Sequence, residues 1–125
     1  MGRGVETDID LKRSSFICSY HGEHLSKAEG RKREERFQEM NAEHGDYIFF
    51  NRNICIDATA EDNSLGRLLN HSRRHPNCEA KPFNYKGVSY IILKAKHDIK
   101  AGTQLTFDYG ERRKEILILK PWLNN

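Results

Sequence analysis

No apolar run in this chain approaches the roughly 18 residues that a membrane-crossing helix requires, and no basic-then-apolar leader opens it. The expectation is a soluble intracellular protein with no membrane partner. Cysteine is scarce: Cys18, Cys55 and Cys78 are odd in number and widely spaced, which excludes a fully paired disulfide framework and fits reduced, mostly buried thiols. Apolar residues are also under-represented, at 37% of the sequence against the roughly 45–50% of ordinary globular proteins. The core must therefore be small, and a bound ligand or flanking segments are expected to contribute order. Charge is plentiful at 31% of residues, yet the two signs nearly cancel to a formal +3. That balance permits nucleic-acid contact without arguing for it. Asn70-His71-Ser72 has the form of a glycosylation acceptor, but a chain with no secretory route would not meet the modifying enzyme.

A length of 125 residues suits one domain spanning 1–125. Met1 runs directly into Gly2-Arg3-Gly4, as though an N-terminal flank were missing, and 111–125 reads as a short C-terminal flank. Phe16 to Tyr20 is apolar and aromatic, bounded by Ser14-Ser15 and Gly22, and reads as a strand. Ser26 and Glu29 have the spacing of a capping box, so a helix is expected from there to near Gly45, with Phe37 and Met40 on one face. Its basic residues Lys27, Arg31, Lys32, Arg33 and Arg36 offer DNA-phosphate contacts, while Glu34, Glu35 and Glu39 favour an ordinary solvated face.

Tyr47 to Phe50 and Ile54 to Asp57 are two further strands, joined by the polar Asn51-Arg52-Asn53. From Ala58 to Pro82 no periodicity holds, and so long an irregular stretch is usually functional. Val88 to Lys96 reads as a buried strand that turns at Ala101-Gly102 into Leu105-Thr106-Phe107, making a second hairpin. Arg112 to Lys120 is expected to form a short helix stopped by Pro121. The pattern is that of a mostly β domain with short helices.

Several chemistries find no support. His71, His75 and Cys78 have zinc-compatible spacing but supply three ligands inside one loop where a structural site needs four, so no metal is expected. No Ser or Cys sits in a nucleophile elbow, and no carboxylate pair can be singled out for acid–base work. Gly2-Arg3-Gly4 lacks the third glycine and the preceding strand of a phosphate-binding loop.

What stands out is five local features in a fixed order. They are Gly2-Arg3-Gly4, Tyr20-His21-Gly22, the run Leu65-Gly66-Arg67-Leu68-Leu69-Asn70-His71-Ser72, Pro76-Asn77-Cys78 and Phe107-Asp108-Tyr109-Gly110. This order resembles the SET-domain family of lysine methyltransferases. Cys55-Ile56-Asp57-Ala58-Thr59 and Lys120-Pro121-Trp122-Leu123 are further similar to its Set-eight branch, which methylates the histone H4 tail at its lysine twenty. The resemblance implies a SET-domain β-fold with a knot-like threaded C-terminal segment, in which the Asn-His-Ser stretch lies beside the closing strand. It also implies methyl transfer from S-adenosylmethionine to a histone lysine by a nuclear, monomeric enzyme acting on the nucleosome. By the same resemblance, Gly2, Arg3, Gly4, Tyr47, Asn70 and His71 would hold the cofactor and Trp122 would sit beside its adenine. Tyr20, Phe107 and Tyr109 would wall the lysine channel, with the Tyr109 hydroxyl closest to the reacting nitrogen.

The sequence departs from the family pattern in places. Ser19 precedes the tyrosine where Glu is usual, Ser14-Ser15 replace a Gly-Asp turn, and Phe107 replaces the tyrosine usual in the Set-eight branch, which implies products beyond monomethyl lysine. Taken singly, Tyr20, Phe107 and Tyr109 read as ordinary strand aromatics, and only the three together with Asn70-His71-Ser72 favour the catalytic reading. The alternative to an enzyme is a SET-like module that binds histone tails or other proteins without turnover.

Overall fold

The computed structural model describes residues 4–40, 48–51, 54–58, 66–110 and 114–125. The strands are β1 (Val5–Glu6), β2 (Phe16–Tyr20), β3 (Glu23–Leu25), β4 (Ile48–Asn51), β5 (Ile54–Asp57), β6 (Asn70–His71), β7 (Cys78–Tyr85), β8 (Val88–Ala95) and β9 (Gln104–Phe107). Two α-helices join them, α1 (Lys27–Met40) and α2 (Lys114–Leu119), and a 3-10 turn covers Pro121–Asn124. The described strands form three small sheets, ordered β1-β9-β6, β2-β8-β7 and β3-β5-β4. Their inner faces meet in one core that includes Tyr20, Phe49, Ile56, Leu69, Ile91 and Leu93.

Helix α1 begins where the capping spacing places it: the Ser26 hydroxyl accepts the Glu29 N–H at 3.2 Å. Its expected end near Gly45, and the side chains of Phe37 and Met40, lie outside the described residues. The solvated-face reading fails at Glu34, which is buried on the side that carries Gly30. Gly30 sits so close to the Cys55 Sγ of β5 that a Cβ there would collide with it. Arg33 supplies the matching polar clamp. Its guanidinium donates to Glu23 at 3.1 and 2.7 Å and to Asp57 at 3.0 Å, tying the helix to both β3 and β5. Those hydrogen bonds, to Glu23 first and Asp57 second, push the Arg33 pKa further up, so the clamp stays charged.

Two sequence expectations need correction. The stretch from Ala58 to Pro82 is not irregular throughout, because β7 starts at Cys78 and pairs with β8 over its whole length, Pro82 opposite Ile91. Pro82 disguises it: proline has no N–H to donate and is tolerated because β7 lies at the edge of its sheet. Nor do β8 and β9 form a hairpin, since they belong to different sheets. The true hairpin is β7–β8, closed by Lys86 and Gly87 at φ 49° and 77°, as a two-residue type I′ turn requires. The chain between β8 and β9 pairs with the N-terminal segment instead: Leu11 and Ile99 exchange bonds of 2.7 and 2.8 Å, and Gly102 N–H reaches Thr7 O at 2.7 Å.

At the entry to β2, Ser14 adopts φ 71°, a left-handed conformation that costs a non-glycine residue about 1–2 kcal/mol. Bonds on either side hold it there. Ser14 N–H reaches Ala95 O at 2.8 Å and Ala95 N–H reaches Ser15 O at 2.9 Å.

Candidate active site

Strand β9 is the beam on which the site is built. On one side it pairs antiparallel with β1, and on the other parallel with β6, setting Asn70 beside Thr106 and His71 beside Phe107. The Asn-His-Ser stretch therefore does lie next to the closing strand. Asn77 fixes β9 from the core side. Its Nδ2 donates to Gln104 O at 2.8 Å and its Oδ1 accepts Thr106 N–H at 2.9 Å, while its own carbonyl accepts Lys96 N–H at 2.8 Å. One carboxamide thus satisfies two backbone groups of β9 that would otherwise be buried without partners. This gives Pro76-Asn77-Cys78 a structural reason independent of chemistry.

Beyond β9, Tyr109 is held at both ends. Its N–H donates to His71 Nδ1 at 3.0 Å, and its hydroxyl donates to Leu69 O at 2.7 Å. Because Nδ1 accepts, the His71 ring carries its proton on Nε2, which donates to Leu123 O at 2.6 Å. His71 therefore links the Tyr109 backbone to the C-terminal 3-10 turn. The neighbouring residues strengthen that link: Arg74 N–H and the Ser72 hydroxyl reach Asn125 O at 3.3 and 3.4 Å, and Arg73 reaches the Asn124 side chain at 3.3 Å.

This closure sets Trp122 over the same corner. Its ring is 5.9 Å from His71 and 6.3 Å from Tyr109, edge-on to both. On the inner side Phe107 is 5.0 Å from Tyr109, 6.1 Å from Tyr20 and 5.7 Å from Phe49, centroid to centroid. The result is a continuous aromatic wall from the half-buried Trp122 to the buried Tyr20. Glycines let the backbone close around it. A Cβ on Gly66 would stand 2.5 Å from Ser19 O, and one on Gly22 would strike the Asp57 carbonyl.

Of the residues singled out from sequence, Tyr20, Phe107, Tyr109, His71 and Trp122 meet in this one cluster. Asn70 and Gly4 adjoin it: the Asn70 amide donates to Gln104 Oε1 at 2.6 Å, and a Cβ on Gly4 would lie 3.0 Å from both of those side-chain atoms. Gly2, Arg3 and Tyr47 lie outside the described residues. Phe49 and Gln104 were not foreseen. The continuous apolar run Ile48-Phe49-Phe50 marks a strand with Phe49 buried in it, but nothing local marks Gln104.

Burial disfavours the thiolate of each cysteine. All three are free, and burial pushes the thiols of Cys18, Cys55 and Cys78 up to about 11, far from the thiolate a nucleophile needs. Among the described residues no group of three His, Cys, Asp or Glu is arranged to hold a metal.

The family model for the SET domain matches residues 2–110. The chain belongs to the SET domain family. Among its relatives, the N-lysine methyltransferase KMT5A of Xenopus tropicalis is 41% identical over 129 residues, covering 99% of this chain and 38% of that protein. The histone-lysine N-methyltransferase Set8 of Drosophila melanogaster is 40% identical over 126 residues, covering 98% of this chain and 18% of that protein. The crystal structure of CpSET8 from Cryptosporidium superposes with a TM-score of 0.71 at 32% identity, covering 83% of this chain and 50% of that one. The SET domain described here thus spans less than half the length of these two sequence relatives.

Proposed function

We propose that this SET domain is an S-adenosylmethionine-dependent protein-lysine N-methyltransferase of the nucleus that acts as a monomer on a histone tail, that of H4, within the nucleosome. One observation carries the reading: Tyr20, Phe107 and Tyr109 form a continuous aromatic wall, and the Tyr109 hydroxyl is fixed on the Leu69 carbonyl at 2.7 Å. The relatives named as N-lysine methyltransferases support it. We take 1–125 as one SET domain with a short flank at 111–125.

The residues present suit the methyl donor. The half-buried Trp122 offers a flat partner for an adenine, while the carboxamides of Asn70 and Gln104 beside Gly4 offer hydrogen bonds to its polar groups. Gly2, Arg3 and Tyr47 are assigned to the same role on their motif positions, and His71 serves it by holding the 3-10 turn that carries Trp122. S-adenosylmethionine, when bound, supplies a methyl on a sulfonium for in-line displacement.

The protein must present a neutral amine, since only that form has a lone pair. Neutralising a lysine of pKa near 10.4 at pH 7 costs about 4–5 kcal/mol. Tyr20 and Phe107 contribute by desolvating the amine, which disfavours its charged form. Tyr109 then orients it, because its hydroxyl is pinned by Leu69 and its backbone by His71. The exposed Lys27 and Lys32 of α1 offer contacts to DNA phosphates, with Arg36 already paired with Glu29 at 3.5 Å and Arg31 lying over the Phe50 ring.

Histones incubated with the full-length protein and methyl-labelled S-adenosylmethionine, then mapped by mass spectrometry, test the proposal. Label on an H4 lysine is expected. Tail binding without label would make the protein a binding module, and label on a lysine of another protein would overturn the substrate.

A further inference from the structure

Among the described residues the sheet β2-β8-β7 buries one face in the core, while its outer face is most exposed toward the β7–β8 hairpin end, where the His24 ring meets Tyr90 edge-on at 6.0 Å. Register decides which residues stand outward. Glu79, Lys81, Phe83 and Tyr85 of β7 lie opposite Lys94, Ile92, Tyr90 and Val88 of β8, and Phe16 of β2 stands beside Lys94. The outward rings are unusually open: Phe16 is 61% exposed, Phe83 50%, Tyr85 55% and Tyr90 36%. A cluster of exposed aromatics on one sheet face marks an interaction surface.

Lysines are interleaved with these rings. Lys86 lies 5.3 Å over the Tyr85 ring, Lys94 neighbours Phe16, and Lys81 precedes Phe83 on the same face. Glu79, 3.7 Å from Lys81, is the acidic residue of the two paired outward rows. A protein-binding patch would be expected to exclude lysine from its centre, whereas lysines set among separate rings are the arrangement that holds single-stranded nucleic acid. Same-face residues recur roughly every 6.8 Å along a strand, which leaves Phe83 and Tyr85 each room for one base. The hydroxyls of Tyr85 and Tyr90, at the ring edges, are suited to ribose 2′-hydroxyls.

We infer that the outer face of the β7–β8 hairpin, with Phe16, is a stacking platform for single-stranded RNA. The bases stack on Phe83, Tyr85 and Tyr90, and the phosphates run along Lys81, Lys86 and Lys94. This surface is separate from the aromatic wall of the catalytic proposal, because its residues point to the opposite side of β8 from the buried Ile91 and Leu93.

Fluorescence anisotropy of a short, labelled, mixed-sequence RNA against the full-length protein tests it. Phe83→Ala and Tyr85→Ala should each weaken binding by about 5- to 150-fold, the usual loss per stacked base. Lys94→Ala should weaken it less and reduce the slope of log affinity against log salt by about 0.7. Melting temperatures establish that these exposed substitutions leave the fold intact, and Phe83→Tyr should retain binding. The inference is overturned if wild type binds no RNA, if the alanine variants bind as wild type does, or if DNA of the same sequence binds equally. Concentration-dependent dimerisation lost in Phe83→Ala, without RNA binding, would assign the face to a second copy instead.

Discussion

Phe107 and Phe83 are the same side chain on strands of the same small β domain, yet Phe107 is 1% exposed and Phe83 50%. The difference lies in the backbone around them. β9 has a partner on each side, Asn77 bonded to it from the core, and the C-terminal 3-10 turn closed over its end through His71. β7 is an edge strand, and Phe83 on its outer face stays half exposed. An aromatic ring in the first setting is held by packing against its neighbours on a strand whose backbone is fixed by several bonds. In the second it is free to meet a partner arriving from outside.

The largest contrast should come from the same truncation in both places. Phe107→Ala removes a ring packed against Tyr20, Phe49 and Tyr109 and should cost about 3–5 kcal/mol, read as a fall in the urea midpoint at unchanged slope. A loss below about 1 kcal/mol would mean that the wall is not packed as described.

Tyr109→Phe should come next. It keeps the ring and removes the hydroxyl bonded to Leu69 O, and turnover on a histone substrate should fall about 10²–10³-fold, as on removal of a preorganised polar group. Cofactor affinity, measured calorimetrically, should change little on the proposed role, in which the hydroxyl acts mainly in the transition state. Equal losses in affinity and rate would reassign Tyr109 to binding.

A smaller effect is expected where Phe107 differs from tyrosine by one hydroxyl. A tyrosine there can retain a water beside the amine, and displacing such a water costs on the order of 0–2 kcal/mol, up to about thirtyfold in rate. The native protein should therefore reach dimethyl and trimethyl lysine, and Phe107→Tyr should stop at monomethyl. Mass spectrometry over many turnovers decides this: monomethyl product from both forms would remove Phe107 from control of the outcome.

The smallest effect belongs to Phe83→Ala, which should change stability by no more than about 0.5 kcal/mol. A cost close to that at Phe107 would show that the outer face is covered after all and erase the contrast.

Much of this was legible in the sequence. Phe16–Tyr20, Ile54–Asp57 and the cap at Ser26 carry local signals, in their side-chain pattern and in one hydrogen bond three residues long. Tyr20, Asn70, His71, Phe107, Tyr109 and Trp122 were found through ordered motifs. The misses share a cause, because each depends on partners remote in sequence. Pro82 hid β7, since no local pattern says which strand will sit at an edge. The supposed β8–β9 hairpin failed because residues 96–103 find better partners near Leu11. Glu34 was read as solvated because its burial depends on β5 lying beneath Gly30.

The sequence by itself determined the composition of the wall, the family to which it belongs and the order in which its parts arrive, since motifs and spacing are properties of the chain alone. Only the tertiary structure decided that Asn77 is a backbone splint, that His71 joins Tyr109 to the C-terminal turn, and that one set of aromatics is enclosed while another is left open. Those outcomes rest on contacts between residues 27 to 88 positions apart, such as Asn77 with Gln104, His71 with Leu123 and Leu11 with Ile99. A hydrogen bond or a buried ring exists only once such distant segments have been brought together, and nothing in either segment alone carries that information.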